Sequence, residues 1–262
     1  MSNSNPVAIV TASTGIGAET AKKLIKEGWS IFVASQTQAN VEYLVSELIS
    51  LGGKAAGFAG DLSNENVPDS IIGACLNYFG RIDSLFNVAG ISGRKYGDGP
   101  LHECSDAGWD RVLDINLTSQ FRMCRSVVQY WLAHPDSDGY LRGSILNMSS
   151  VLGVDPEPKN FDTLAYGVSK AGIIGMSRIL AAAYADNGIA VNVIAPGLVS
   201  TPMSVRAVHD DVILSAIKGK QALSKGVIPI DAVSDLAAFM MTKGAMSMTG
   251  QVVYPDGGWR VS

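Results

Sequence analysis

The chain has 262 residues, 47% of them hydrophobic and 17% charged, with 28 glycines and a formal net charge of −4. Such a length and composition suit one large globular α/β domain over residues 1–262, not a disordered, fibrous or low-complexity chain. With no stripe of Lys and Arg, no apolar run long enough to span a bilayer and no leader-like opening in M-S-N-S-N-P, the expectation is a cytoplasmic protein that acts on a small molecule, without nucleic acid or membrane as a partner.

Residues 6–12 (P-V-A-I-V-T-A) form an apolar, β-branched run, followed at once by S-T-G-I-G and a helical pattern at Ala18, Ala21, Leu24 and Ile25. A strand, a glycine turn and a helix in this order place backbone N–H groups at a helix N-terminus, where a pyrophosphate can bind. Thr11, Ser13, Gly15, Ile16 and Gly17 are therefore candidate cofactor contacts. Residues 29–35 read as the second strand, whose end meets an adenosine ribose in such folds. An acidic side chain there selects NAD and an arginine selects NADP; Ser35, Gln36 and Thr37 are neither, which leaves NADP slightly favoured and NAD possible.

A helix at 39–51 and a third strand at 54–60 come next, then Asp61-Leu62, where Asp61 is also placed to cap a helix beginning near Ser63. Residues 82–90 end in N-V-A-G, residues 91–100 read as a glycine-rich loop, and 109–131 as one long helix interrupted by Asn116. Cys75, Cys104 and Cys124 are odd in number and widely separated, and His102, His134 and His209 show no ligand spacing, so neither a disulfide framework nor a metal site is expected.

Residues 143–153 (G-S-I-L-N-M-S-S-V-L-G) read as a buried strand ending in two serines. On the following helix, predicted over 163–186, Tyr166 and Lys170 stand four apart and share a face. A free phenol has a pKa near 10, and a neighbouring ammonium is expected to lower it toward the range of a proton donor and acceptor.

With these segments in view, the chain resembles the short-chain dehydrogenase/reductase family, in its single-domain branch of 3-oxoacyl-carrier-protein reductases, over residues 6–258. The resemblance implies a doubly wound Rossmann fold of the α/β class, with a mainly parallel seven-stranded sheet, helices on both faces and a homotetrameric assembly. It assigns Ser150, Tyr166, Lys170 and Asn116 to catalysis. Ser150 is preferred over Ser149 because it directly precedes V-L-G. Tyr166 would exchange the proton, Ser150 would bond the substrate oxygen, Lys170 would bind the ribose, and Asn116 would hold a relay water. It also implies cofactor contacts at Asp61 and Leu62 for adenine, at Asn87, Ala89 and Gly90 beside the ribose, and at Pro196, Gly197, Val199 and Thr201 near the carboxamide. The chain departs from the family where T-A-S-T-G-I-G stands for T-G-x-x-x-G-x-G, one residue short and with Ala12 for the first glycine, and where Val88 replaces an asparagine.

The expected reaction is hydride transfer between a nicotinamide and a carbonyl or secondary alcohol. Residues 198–229 are read as a substrate lid with an apolar lining, and the strand and D-G-G turn at 248–258 as a tail for subunit contacts. Two rival readings stand beside it. One is 3-oxoacyl reduction on an acyl carrier, docked by Arg122, Arg125 and Arg178. The other, of a different class, is a nucleotide-sensing or scaffold protein that has kept the fold without turnover.

Overall fold

In the computed structural model, which describes residues 5–134, 141–242, 245 and 247–262, strands and helices alternate from the start. The first half holds β1 (Val7–Val10), α1 (Gly15–Lys26), β2 (Ser30–Ser35), α2 (Gln38–Ser50), β3 (Ala55–Ala59), α3 (Val67–Phe79) and β4 (Ser84–Asn87). The second half holds α4 (Asp106–Leu113), α5 (Ser119–Ala133), β5 (Gly143–Met148), α6 (Leu164–Tyr184), β6 (Ile189–Ile194), α7 (Val205–Val208), α8 (Asp211–Lys220), α9 (Ile230–Met241) and β7 (Val252–Val253).

Among the described residues, seven strands pair in parallel, in the order β3-β2-β1-β4-β5-β6-β7. Parallel strands need crossover helices, and these cover both faces of the sheet, which is why β1, β4, β5 and β6 are buried along their whole length. Leu24, Leu44 and Leu48 of α1 and α2 join Val233 and Met240 of α9 on one face. Ile71 and Cys75 of α3, Met123 and Val127 of α5 and Ala181 of α6 pack on the other. Chain order reverses between β1 and β4, so their carboxyl ends splay a crevice. Thr11 spans it: its Oγ1 donates to the Phe86 carbonyl at 3.3 Å and accepts from the Val88 amide at 2.9 Å.

Two expectations about elements are corrected. The helix anticipated at 109–131 is two helices joined by a π-turn at Asp114–Thr118, and Asn116 lies inside that turn. The wider i→i+5 turn lets the asparagine amide leave the helix and bond neighbouring segments. The helix expected near Ser63 begins at Val67, because Asp61 bonds Ser63 to close a turn first. The closing strand is only two residues long, since Gly250 (φ +71) and the glycines after Asp256 bend the chain on either side of it.

Candidate active site

The carboxyl ends of β1, β2, β4, β5 and β6 surround a cleft of about 590 Å³, well within the size range of nucleotide and substrate pockets. Thr11, Ser13, Gly15, Ile16, Ser35, Gln36, Asp61, Leu62, Ala89, Gly90, Pro196, Gly197, Val199 and Thr201 all line it, as do Ser150, Tyr166 and Lys170. Gly17 and Asn87, expected beside the cofactor, do not. Gly17 lies beneath the turn, where a Cβ would come 2.7 Å from that of Ala12. Asn87 is buried and turns inward, donating to Asn147 Oδ1 at 2.8 Å, and Asn147 in turn donates to Ser177 Oγ at 2.9 Å. This polar ladder ties β4, β5 and α6 together underneath the site.

At one end of the cleft, α1 opens with Gly15 at φ +61, a left-handed conformation that side chains rarely adopt. Its N-cap, Thr14, makes no side-chain cap, and the first turn carries no acid. The free N–H groups and positive end of the helix dipole therefore face the cleft and suit an anionic pyrophosphate. The shortened turn keeps that opening. Nearby, Ser13 Oγ donates to Ser35 Oγ at 2.9 Å and Gln36 Nε2 to Asp61 Oδ2 at 3.1 Å. Arg111 stands 3.6 Å from the Asp61 carboxylate. Burial pushes the Asp61 carboxyl up, but the Ser63 hydrogen bonds and Arg111 together outweigh it and hold the group below the usual carboxylate range.

The other end holds the reactive side chains. Ser150 sits just past β5, its Oγ accepting from the Leu152 amide at 3.2 Å, which leaves its hydroxyl proton to be donated elsewhere. Ser149 instead donates to the Lys170 carbonyl at 2.7 Å and fastens α6 to the sheet. Behind Gly90, Asn116 Oδ1 accepts from the Ile91 amide at 2.7 Å, and its Nδ2 donates to the Ile91 carbonyl and to Ser169 Oγ. A Cβ on Gly90 would lie 3.1 Å from Asn116 Oδ1 and 3.5 Å from Lys170 Nζ, so glycine keeps that corner open.

The electrostatics correct one expectation. Burial pushes the Tyr166 phenol above the ordinary tyrosine range, against a hydrogen bond with Ser150 that pulls it down. Burial also pulls Lys170 down to about 8. Lys170 Nζ donates to the Met148 carbonyl at 3.1 Å and stands 5.5 Å from the Tyr166 ring centre. Both groups are withdrawn from water, and desolvation disfavours each charged form more than their proximity favours it.

Two residues near the site have no counterpart in the sequence reading. Asp98, from the loop after β4, accepts from the amide of Tyr166 itself at 3.0 Å. Trp259, from the segment after β7, is buried in the cleft wall, 6.1 Å from the Phe161 ring. The D-G-G turn delivers it: Asp256 Oδ1 accepts from the Gly258 amide at 2.9 Å, and Gly257 and Gly258 hold φ of +64 and +102. A Cβ on Gly257 would lie 2.8 Å from Ser224 Oγ. A D-G-G triplet marks a turn in any sequence, but nothing local says that the next side chain enters a pocket.

The segment expected as a lid packs Ile213 and Ile217 against Trp259, Val151 and Leu198 and leaves Met203, Val205 and Val212 exposed. Gln221, wholly buried, accepts from the Leu198 amide at 2.5 Å and returns a bond to the Leu198 carbonyl, pinning the far end of the segment to its root. Of the arginines considered for docking, Arg122 is already engaged, donating to the Ser63 carbonyl at 2.6 Å and to Asp114.

The sequence profile described as Enoyl-(Acyl carrier protein) reductase matches residues 10–260. The chain is 32% identical to a 3beta-hydroxysteroid dehydrogenase of Eggerthella lenta, over 96% of this chain and 92% of the other. It superposes with a TM-score of 0.89 on the crystal structure of a 3-oxoacyl-[acyl-carrier protein] reductase from Brucella melitensis in complex with NAD, at 28% identity and covering 100% of this chain and 99% of that one. With a single-substitution variant of actinorhodin polyketide ketoreductase, solved with NADPH, the TM-score is 0.85, at 29% identity and 98% of both chains.

Proposed function

Because the chain belongs to the short-chain dehydrogenase/reductase family, an NAD(P)-dependent oxidoreductase of hydroxyl and carbonyl groups, we propose that Ser150, Tyr166, Lys170 and Asn116 interconvert a carbonyl and a secondary alcohol in this cleft. The observation that carries the assignment is that Ser150, Tyr166 and Lys170 reach the cavity that the bare N-terminus of α1 also faces. When bound, the nicotinamide supplies or accepts the hydride. In the reducing direction, Tyr166 gives its proton to the substrate oxygen while the Ser150 hydroxyl donates to the same oxygen. A phenol kept protonated by burial is suited to that donor role. Lys170, still mostly protonated at pH 7, holds the ribose and resupplies the proton, and the second lone pair of Asn116 Oδ1 offers a place for a relay water.

The N–H groups opening α1 hold the pyrophosphate, Asp61 and Leu62 flank the adenine, Ala89 and Gly90 the ribose, and Val199 and Thr201 the carboxamide. NADP is favoured over NAD because no acidic side chain ends β2 and the nearest carboxylate, Asp61, is offset by Arg111. The wall built from Leu152, Phe161, Ala207 and Trp259 favours a substrate with an apolar body. Docking of an acyl carrier has weaker support, since Arg122 is taken up inside the molecule. The three free thiols fit a cytoplasmic setting, and residues 198–229 serve as the lid.

Calorimetric titration with NADPH and NADH in parallel tests the reading. Saturable binding of either, tighter for NADPH, is expected, followed by cofactor consumption with apolar ketones. Binding of neither would favour a scaffold role.

A further inference from the structure

Asp98 stands between two glycines in the loop after β4 and is 5% exposed. Its Oδ1 accepts from the Ala165 amide at 2.9 Å, its Oδ2 from the Tyr166 amide at 3.0 Å, and the adjoining Gly99 carbonyl accepts from the Leu164 amide at 3.1 Å. These are the first three N–H groups of α6, which the helix itself cannot satisfy. Thr163, in the N-cap position, makes no side-chain cap. The loop is shaped to bring the carboxylate in: Gly93 holds φ +83, and a Cβ there would fall 2.7 Å from Asp98 Oδ2 and 2.5 Å from Val112.

Tyr166 is the third residue of α6, in the turn where a helix frays most readily. Farther along, the helix is fixed by Ser149 on the Lys170 carbonyl. At its first turn the N–H groups that the helix cannot satisfy are held by this loop, while the Tyr166 carbonyl accepts from Ser169 Oγ at 2.7 Å. We propose that Asp98 is a positioning residue for Tyr166, holding the first turn of α6 so that the phenol stays against Ser150. The proposal rests on the reading of Tyr166 as the proton donor.

The carboxylate also offsets the positive end of the helix, which by itself favours the phenolate. Around this joint the titratable and charged groups are Lys170 on α6, Cys104, whose Sγ stands 3.8 Å from Asp98 Oδ1, and, just before the N-cap, Asp162, paired with Arg94 at 2.6 Å, while Ser150 and Ser169 are neutral partners. Removing the negative charge while keeping one of the two acceptor oxygens, as Asp98→Asn does, therefore moves the titration of Tyr166 to lower pH.

The test compares Asp98→Asn, Asp98→Ala and Gly93→Ala with the wild-type enzyme. Tyrosines carrying ¹³C at the ring carbon that bears the hydroxyl report titration, with the Tyr166 signal assigned by its loss in Tyr166→Phe. Turnover of ethyl acetoacetate with NADPH is followed in parallel. In Asp98→Asn the Tyr166 signal titrates at lower pH. In Asp98→Ala and Gly93→Ala turnover falls about 10- to 100-fold, the scale of an ångström-sized misplacement, while NADPH affinity stays within about twofold, and Asp98→Asn, which keeps one of the two acceptor oxygens, falls between Asp98→Ala and the wild type. An unmoved Tyr166 titration together with wild-type turnover in Asp98→Ala overturns the proposal. If Asp98→Ala does not fold, Asp98→Asn and Gly93→Ala carry the same comparison. Retained turnover in Tyr166→Phe would instead overturn the reading of Tyr166 as the donor.

Discussion

Tyr166 and Lys170 pull in opposite directions, one kept protonated by burial and the other pressed to give its proton up. Replacing Tyr166 by Phe removes the proton donor but not the ring, so turnover should fall by about 10²- to 10⁴-fold with cofactor affinity nearly unchanged in calorimetry. Lys170 holds its proton less tightly folded, near 8, than in an unfolded chain, where the value is 10.5. Between those values the unfolded chain binds more protons, so the lysine's burden on stability is full below about pH 8 and is relieved as pH rises toward 10.5. Lys170→Met should therefore be the more stable protein at pH 7, by on the order of 3 kcal/mol, with the gap narrowing above pH 8 in urea titrations. Cys75 and Cys124, both pushed up to about 12 by burial, lower stability above pH 9 in both proteins and cancel from the difference. A gap that does not change with pH would mean that the ammonium is not strained where it sits.

Among the elements, the join between the turn after β5 and the middle of α6 decides whether Ser150 and Tyr166 meet. A Cβ on Gly153 would stand 2.7 Å from both the Ala171 nitrogen and the Lys170 carbonyl carbon. Both are backbone atoms, which cannot swing aside. Gly153→Ala should cost about 1–3 kcal/mol, read as a lower melting temperature, and should reduce turnover more than cofactor binding because it moves α6 away from β5. What was legible in the sequence follows the same division. Ser150, Tyr166 and Lys170 were legible because a buried strand's end and a four-residue helical spacing are local patterns, and the family resemblance chose between the two serines. Asp98 and Trp259 were not, since each acts on a partner brought near only by the fold; Asp98 bonds an amide 67 residues away. The π-turn around Asn116 left no periodic trace, because one wider turn does not disturb the apolar face enough to show.

For the whole molecule, the central strands were readable because buried parallel strands leave continuous apolar runs between amphipathic helices, while the count of seven came with the family resemblance. Assembly is less legible, since an exposed apolar residue by itself is ordinary. Phe121 and Leu132 on α5 and Val168 and Ile179 on α6 are nonetheless all exposed, Ile179 at 70%. We expect these helices to meet copies of themselves in a homotetramer, with sedimentation velocity giving four times the chain mass and Ile179→Glu shifting the distribution to smaller species. A wild-type boundary at the mass of one chain would end that expectation.

The tail that folds Trp259 into the cleft wall has an optical consequence. Among the four tryptophans, Trp131 donates to the Ile82 carbonyl at 2.7 Å, near the opposite ends of the strands. Trp259 lies within the pocket lining, with Lys220 Nζ 4.9 Å from its ring centre. Indole emission overlaps the absorption band of a reduced nicotinamide, so a bound dihydronicotinamide should quench Trp259 by energy transfer more strongly than the oxidised form does. Trp259→Phe should reduce that contrast and leave the signals of Trp29, Trp109 and Trp131. The enzyme would then display the redox state of its own pocket in its ultraviolet glow, without an added dye.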